Sequence, residues 1–167
     1  MIQLRNATIK DLALLKSWDE QKHVIDSDPN DDWNWEYELT REPEWREQLI
    51  AEINGEAIGF VQIIDPAREE THYWGKISEN KRAIDIWIGK EEHLGKGYGT
   101  QMMLLALEKC FMNANVDEVL IDPLESNVRA INFYKKIGFE FVEKRIFGED
   151  KTDVYTTSRE RWRSIYI

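Results

Sequence analysis

The sequence predicts a mixed α/β domain on a largely antiparallel sheet. Two observations carry this. First, QLIAEI and EAIGFVQII have strand length and composition, and Asn54-Gly55 joins them, a strong signal for a two-residue hairpin. Second, two stretches with apolar residues at helical spacing, QMMLLALEKCFMNA and SNVRAINFYKKIG, alternate with the strand-like runs AIDIWIG and EVLID. In order, the chain reads strand, helix, loop, three strands, helix, strand, helix and two strands.

Each element has its own signal. IQLRNA is a short opening strand, and Thr8 is placed to cap the helix TIKDLALLKSWDEQK, with Asp11 in its first turn. HVIDSDPNDDWNWEYEL is acidic and aromatic without periodicity, a long loop holding a helical turn or two. The Asn54-Gly55 hairpin follows, then a polar connection over residues 65–82 and the strand AIDIWIG. The helix after LGKGYGT is predicted to run to about Ala114. EVLID ends at Pro123, and Ser126 and Gly138 bracket the next helix as cap and stop. FEFVEKRIF and TDVYTTS close the chain as two strands across FGEDK.

Length and composition fit this scheme. The chain of 167 residues suits a single domain, 1–167, with a core of its own. No apolar run is long enough to span a membrane, and MIQLRNATIKD does not read as a signal peptide. The single cysteine, Cys110, has no internal disulfide partner and sits where a small core residue is expected; a reducing, cytoplasmic setting fits. Cys/His metal spacing is absent, so no metal is expected. The net charge is −10, and residues 19–56 hold thirteen acids against three bases, so that segment carries the whole excess. Such a concentration repels nucleic acid and anionic membrane and attracts cations; the plainer reading is a solvated acidic surface.

LGKGYGT, residues 94–100, carries the chemistry. Its glycines let the backbone turn sharply and come close to a ligand, and the helix that follows aims unpaired N–H groups and a positive dipole at one spot. That arrangement binds phosphate. It is neither a Walker loop, since Lys96 precedes Gly97 rather than Ser or Thr, nor a dinucleotide fingerprint, since the glycines run GxGxG.

The string IDIWIGKEEHLGKGYGTQMM, with VLIDPLESNVRAINFYKKIGF downstream, resembles the GNAT family of N-acetyltransferases. The resemblance implies a GNAT fold: a mixed, mostly antiparallel central sheet with helices on both faces and splayed central strands. It implies acetyl-CoA as cosubstrate. Gly95, Lys96, Gly97, Tyr98, Gly99 and Thr100 then match the loop whose amides bind the pyrophosphate, although Leu94 stands where the family usually has Arg or Gln. Trp87, Ile88 and Gly89 match the strand that pairs with the pantetheine arm, Asn127 matches an asparagine on that arm, and Tyr134 the tyrosine near the sulfur.

A narrower resemblance is to the aminoglycoside 6′-N-acetyltransferases, carried by INGEAIGFVQ, by the AID strand ending at Asp85, and by IDPLESNVRAINFYKKIGF with Asp122. It implies that Asp85 and Asp122 hold ammonium groups of a cationic small-molecule amine and are the candidates to take the amine proton. Tyr134 would return a proton to the thiolate. The acidic, aromatic loop would complete the site, with Asp32, Trp33, Trp35 and Glu36 among its side chains beside Asp26, Asp28, Asp31 and Tyr37. The expected assembly is a monomer or homodimer.

Plainer readings stand beside these. Asp85 could sit at a wet strand edge or pair with Lys81 or Arg82, Asp122 could be a turn residue, and Tyr134 and the tryptophans could be packing. His23, His72 and His93 are given no role. A polyamine, a siderophore hydroxylysine or a protein N-terminus remains open as the acceptor. From another class, a non-catalytic acyl-CoA-binding module remains open too.

Overall fold

The computed structural model describes all of residues 1–167. Strand β1 (Ile2–Asn6) and a 3-10 turn at Ile9–Asp11 lead into α1 (Leu12–Asp19), α2 (Lys22–Ser27) and the single-turn α3 (Trp35–Glu38). Then come β2 (Arg46–Ile53), β3 (Glu56–Ile64), β4 (Lys81–Ile88), α4 (Tyr98–Phe111), β5 (Glu118–Ile121), α5 (Val128–Ile137), β6 (Glu140–Phe147), β7 (Asp150–Ser158) and α6 (Arg159–Tyr166). One seven-stranded sheet orders them β1-β2-β3-β4-β5-β7-β6. Every pairing is antiparallel except β4 with β5.

Residue alternation along the strands, shifted by one at the β-bulge that leaves Ile58 unpaired, assigns the two faces. In β3, Ile58, Val61 and Ile63 face the stripe Met102, Met103, Ala106, Leu107, Cys110 and Phe111 of α4, with Ile131, Tyr134 and Ile137 of α5 beside it. Phe60 and Ile50 face the other way, onto Leu15 and Trp18 of α1 and Trp35 of α3. Helices therefore cover both faces. Each large apolar side chain buried this way stabilises the fold by about 1.5–3 kcal/mol. Cys110 is a core residue, as its helical position predicts.

The hairpin turn is as the sequence reads: Asn54 and Gly55 both have positive φ, 51° and 81°, which a type I′ turn demands. Thr8 forms a capping box with Asp11. Four expectations need correction. The first helix is not continuous to residue 22: it opens as a 3-10 turn and breaks after Asp19 before α2. Helix α4 stops at Phe111 rather than Ala114. The cap of α5 is Asn127, whose side-chain oxygen accepts from the Ala130 N–H at 3.2 Å, and not Ser126. Finally, the chain ends in a helix rather than a strand. Ser158 caps α6, which docks through Trp162 against Phe111 and through a Tyr166 hydroxyl bond to the Ile137 carbonyl. Its sparse apolar spacing, Trp162, Ile165 and Tyr166, sits among charges, so the helical period is easy to miss.

One irregularity positions everything that follows. Strand β4 pairs with β5 only through Lys81–Ala83 against Glu118–Leu120, while its pairing to β3 continues to Ile88. β5 is four residues long, and the chain after it stays with β7: Asp153 N–H donates to Pro123 O at 2.9 Å, and Leu124 bridges Thr152. A wedge opens between Ile84–Ile88 and the β5–β7 side.

Candidate active site

The wedge holds a cleft of two chambers. The first, about 380 Å³, lies between Trp87, Ile88 and the glycine loop on one side and Asn127, Ala130, Phe133 and Tyr134 on the other. Gly95 and Gly97 have φ of 73° and 80°, a region that side-chain-bearing residues rarely adopt, and a Cβ on either would meet nothing within 4 Å. Gly97 is the N-cap of α4, and no backbone carbonyl accepts from the N–H groups of residues 95–100. The loop is therefore a bare cradle at the positive end of a fourteen-residue helix. The donor set fits a pyrophosphate.

Of the residues expected here, Trp87, Ile88, Gly95, Gly97, Tyr98, Gly99, Thr100, Asn127 and Tyr134 all line this chamber. Two do not. Lys96 is exposed outside it, and Gly89 is buried against α1, where an added Cβ would lie 2.1 Å from the Trp18 ring. His23, given no role from sequence, reaches the free edge of β4: its Nε2 lies 2.7 Å from the Ile88 carbonyl oxygen.

The second chamber, about 350 Å³, meets the first at its inner end. Asp28, Asp31, Asp85, Asp122 and Asp150 line both. They come from four places: the segment after α2, the middle of β4, the end of β5 and the start of β7. No Lys or Arg nitrogen lies within 4.0 Å of any of these carboxylates. The pairing of Asp85 with its strand neighbours does not occur: Lys81 pairs with Glu118 and Arg82 with Asp65. Neutral groups hold three of the five. Gln62, directly opposite Asp85 in register, donates to it at 3.0 Å and accepts from Gln48 in turn. Asn30 donates to Asp150 at 2.6 Å, and the Tyr73 hydroxyl donates to Asp122.

Burial without a cationic partner raises three of these acids. Desolvation pushes Asp85 up to about 6, against the Gln62 bond that lowers it. Desolvation and the charge of Asp85 push Asp122 up to about 8. Desolvation and Asp31 push Asp28 up to about 9. Burial, then Asp85 and Asp122, also holds the phenol proton of Tyr134 on well above its ordinary range. The cleft thus gathers acids that favour a proton or a bound cation, beside a tyrosine that keeps its own proton.

The loop residues expected at the site divide. Trp33 lines both chambers, and Asp32 lines the second while accepting from the Asn34 N–H. Trp35 and Glu36 line neither. Trp35 is buried behind Trp33, stacked on it at 5.2 Å, with its indole N–H on Asp19. Glu36 is exposed and paired with Lys16. Helical turn α3 explains the split, since it turns its tryptophan to the core and its glutamate to water. Tyr73 and Asp150 were missed because their segments read as a polar connection and a hairpin turn; only the fold places them beside Asp122.

Residues 8–147 match the acetyltransferase (GNAT) domain, a span covering most of the chain. The chain belongs to the GNAT acetyltransferase family. Among its relatives is the aminoglycoside N(6′)-acetyltransferase type 1 of Klebsiella pneumoniae, 30% identical over 153 residues that cover 83% of this chain and 74% of the relative. Solved structures agree. Aminoglycoside acetyltransferase AAC(6′)-Ib in complex with coenzyme A superposes with a TM-score of 0.88 at 26% identity, covering 98% of each chain. Its complex with coenzyme A and kanamycin gives a TM-score of 0.87 at the same identity and coverage. This GNAT protein is accordingly an N-acetyltransferase, and its splayed β4 and glycine loop are those of the family fold. No helix in it is long and apolar enough to cross a membrane.

Proposed function

We propose that this protein transfers the acetyl group of acetyl-CoA to a primary amine of a small polycation, an aminoglycoside acetylated at its 6′-type amine. The observation that carries the reading is the set of five carboxylates without a cationic partner where the chambers meet. An acid cluster of this kind, half-buried except for the exposed Asp31, is costly alone and favourable around ammonium groups, each gaining a charge-assisted hydrogen bond worth about 1.5–3 kcal/mol. The family membership and the named activity of its relatives support the same reading.

The residues divide the work. The amides of residues 95–100 and the α4 dipole hold the pyrophosphate, and the free edge of β4 at Trp87 and Ile88 aligns the pantetheine arm. Asp85 and Asp122 fix the acceptor, and one of them, directly or through a water, takes a proton so that the nitrogen can attack. The C–N bond forms as the C–S bond breaks, and a backbone N–H of β4 meets the developing oxyanion. Tyr134, still protonated, gives its proton to the departing sulfur. Asp32 and Trp33 flank the acceptor.

Thiol release from acetyl-CoA, measured with kanamycin, spermidine and a peptide N-terminus, tests this. Turnover is expected with kanamycin and at lower kcat/KM with the others. Release with spermidine or peptide alone would replace the aminoglycoside by another amine, and release with none would place the acceptor outside these three classes.

A further inference from the structure

Tyr73 belongs to no motif and lies in the connection between β3 and β4, yet the structure fixes it from three directions. Glu69, only 6% exposed, ties the loop: its carboxylate accepts from the Thr71 hydroxyl at 2.6 Å, from the Thr71 N–H, and from the Tyr73 N–H at 3.0 Å. The next residue, Trp74, is buried among Ile64, Ala83, Leu120 and Val154 and anchors the loop to the sheet. The Tyr73 ring itself stacks on Phe147 with centroids 4.2 Å apart and planes at 8°. So held, the phenol directs its hydroxyl at Asp122 Oδ2.

We propose that Tyr73 is a positioning residue for acetyl transfer, holding one oxygen of Asp122 so that the other faces the attacking amine. This rests on the reading above of Asp122 as an acceptor of the amine proton. The chemistry of the surroundings makes the bond matter. The acids and phenol that line the cleft with Asp122 are Asp85 on β4, Asp28 and Asp31 after α2, Asp150 at the start of β7 and Tyr134 on α5; the exposed Arg129 of α5 lines the first chamber and Arg46 of β2 the second, and neither pairs with Asp122. Burial, Asp85 and Asp31 all favour the protonated acid, and among side chains the Tyr73 hydroxyl opposes them by bonding the carboxylate form. Tyr73 is 43% exposed as a residue, but desolvation of its phenol at the cleft and the Asp122 charge keep its proton on, so it remains a donor.

Tyr73→Phe tests this while keeping the ring and its stack. With kanamycin as acceptor, loss of the bond should raise the acid limb of kcat/KM by about one pH unit, since the group must lose its proton to act. At pH 7, kcat should fall about ten-fold, with coenzyme A affinity by calorimetry and the melting temperature nearly unchanged. An acid limb that stays in place overturns the proposal, whether or not the variant is less stable. Asp122→Asn separates the two claims. Wild-type turnover in Asp122→Asn removes Asp122 as proton acceptor, and the positioning claim with it. A slow Asp122→Asn beside an unmoved limb in Tyr73→Phe removes the positioning role alone. If Tyr73 works through Asp122, the double variant is no slower than Asp122→Asn.

Discussion

At the glycine-loop end of the cleft the polar surface is backbone, a run of unpaired amides from six consecutive residues that enter and begin α4. At the acid end it is side chain, five carboxylates from segments that span residues 28 to 150. A backbone cradle tolerates side-chain change and fails when the chain path changes. A side-chain cluster behaves in the opposite way: each acid can be altered alone without disturbing the sheet that presents it. Under the proposed assignment, the acetyl donor would be held by architecture and the acceptor by replaceable groups.

The largest effect is expected where the two ends meet. Tyr134 lines the glycine-loop chamber, is 8% exposed, and keeps its proton by burial and by the nearby Asp85 and Asp122 charges. Tyr134→Phe should lower kcat by about a hundred-fold or more, the usual scale for losing a positioned general acid, with little change in coenzyme A affinity. Steady-state thiol release with calorimetry on the same protein reads both quantities. A variant that turns over like the wild type would take the acid role from Tyr134 and leave it as core packing.

Gly97→Val attacks the backbone end. At φ 80° any side chain is strained by about 1–2 kcal/mol, but the new Cβ itself meets no protein atom within 4 Å. The fold should survive with a lower melting temperature. Coenzyme A affinity should fall about ten-fold or more, as expected from losing one charge-assisted hydrogen bond. Unchanged affinity in the folded variant would mean that the cradle binds something else. Gly89→Ala is the contrasting case, because its Cβ would enter the Trp18 ring and damage the core rather than the site.

The same division explains what could be read from the sequence. The glycine loop, Asn127 and Tyr134 fall in one contiguous stretch whose spacing follows from local geometry, so the resemblance located them directly. The splay of β4 came with the same resemblance, and in the structure it accompanies a four-residue β5 followed by Pro123. Asp85 was noticeable as an acid within an apolar strand, and it lies between the polar row of Gln48 and Gln62 and the open cleft. The loop over residues 23–45 announced its acids and tryptophans but not their directions, because α3 alternates core and water over single residues. Asp150 and Tyr73 depended on long-range placement, β7 beside β5 and Trp74 packed on Ile64, Ala83, Leu120 and Val154, which no local pattern records. Helix α6 was lost for a similar reason, since its support is contact with α4 and α5 rather than its own period.

On the acid side, Asp85→Asn preserves shape and the Gln62 contact while removing charge. KM for kanamycin should rise about ten-fold, with coenzyme A binding unaffected. The loss should persist at 0.5 M salt, since a contact within the cleft is poorly screened. Glu47→Gln supplies the comparison: Glu47 is half exposed and pairs with Lys109, away from either chamber. It should change KM less than about two-fold, and only at low salt. Equal salt dependence in the two variants would mean that the substrate senses the general acidity of the surface, not the cleft.

The smallest expected effect is on stability, and its sign is unusual for a site residue. Asp28, half-buried beside Asp31, is raised from the ordinary 3.8 to about 9. A carboxyl raised on folding stabilises fully below its unfolded value, and that contribution is lost as pH climbs toward the folded one. At pH 8 the unfolded chain gains by ionising Asp28 while the folded chain cannot. Asp28→Asn removes that difference, and its amide can still donate to Asp31 as the protonated acid does. The melting temperature should therefore rise at pH 8, by about 2–4 °C for each kcal/mol relieved, and barely move at pH 4. A polycation that enters the cleft relieves the same repulsion, so kanamycin should raise the melting temperature of the wild type more than that of Asp28→Asn. A shift equal at both pH values would trace the effect to packing, and the acid end would then be no more strained than the glycine-loop end it is compared with.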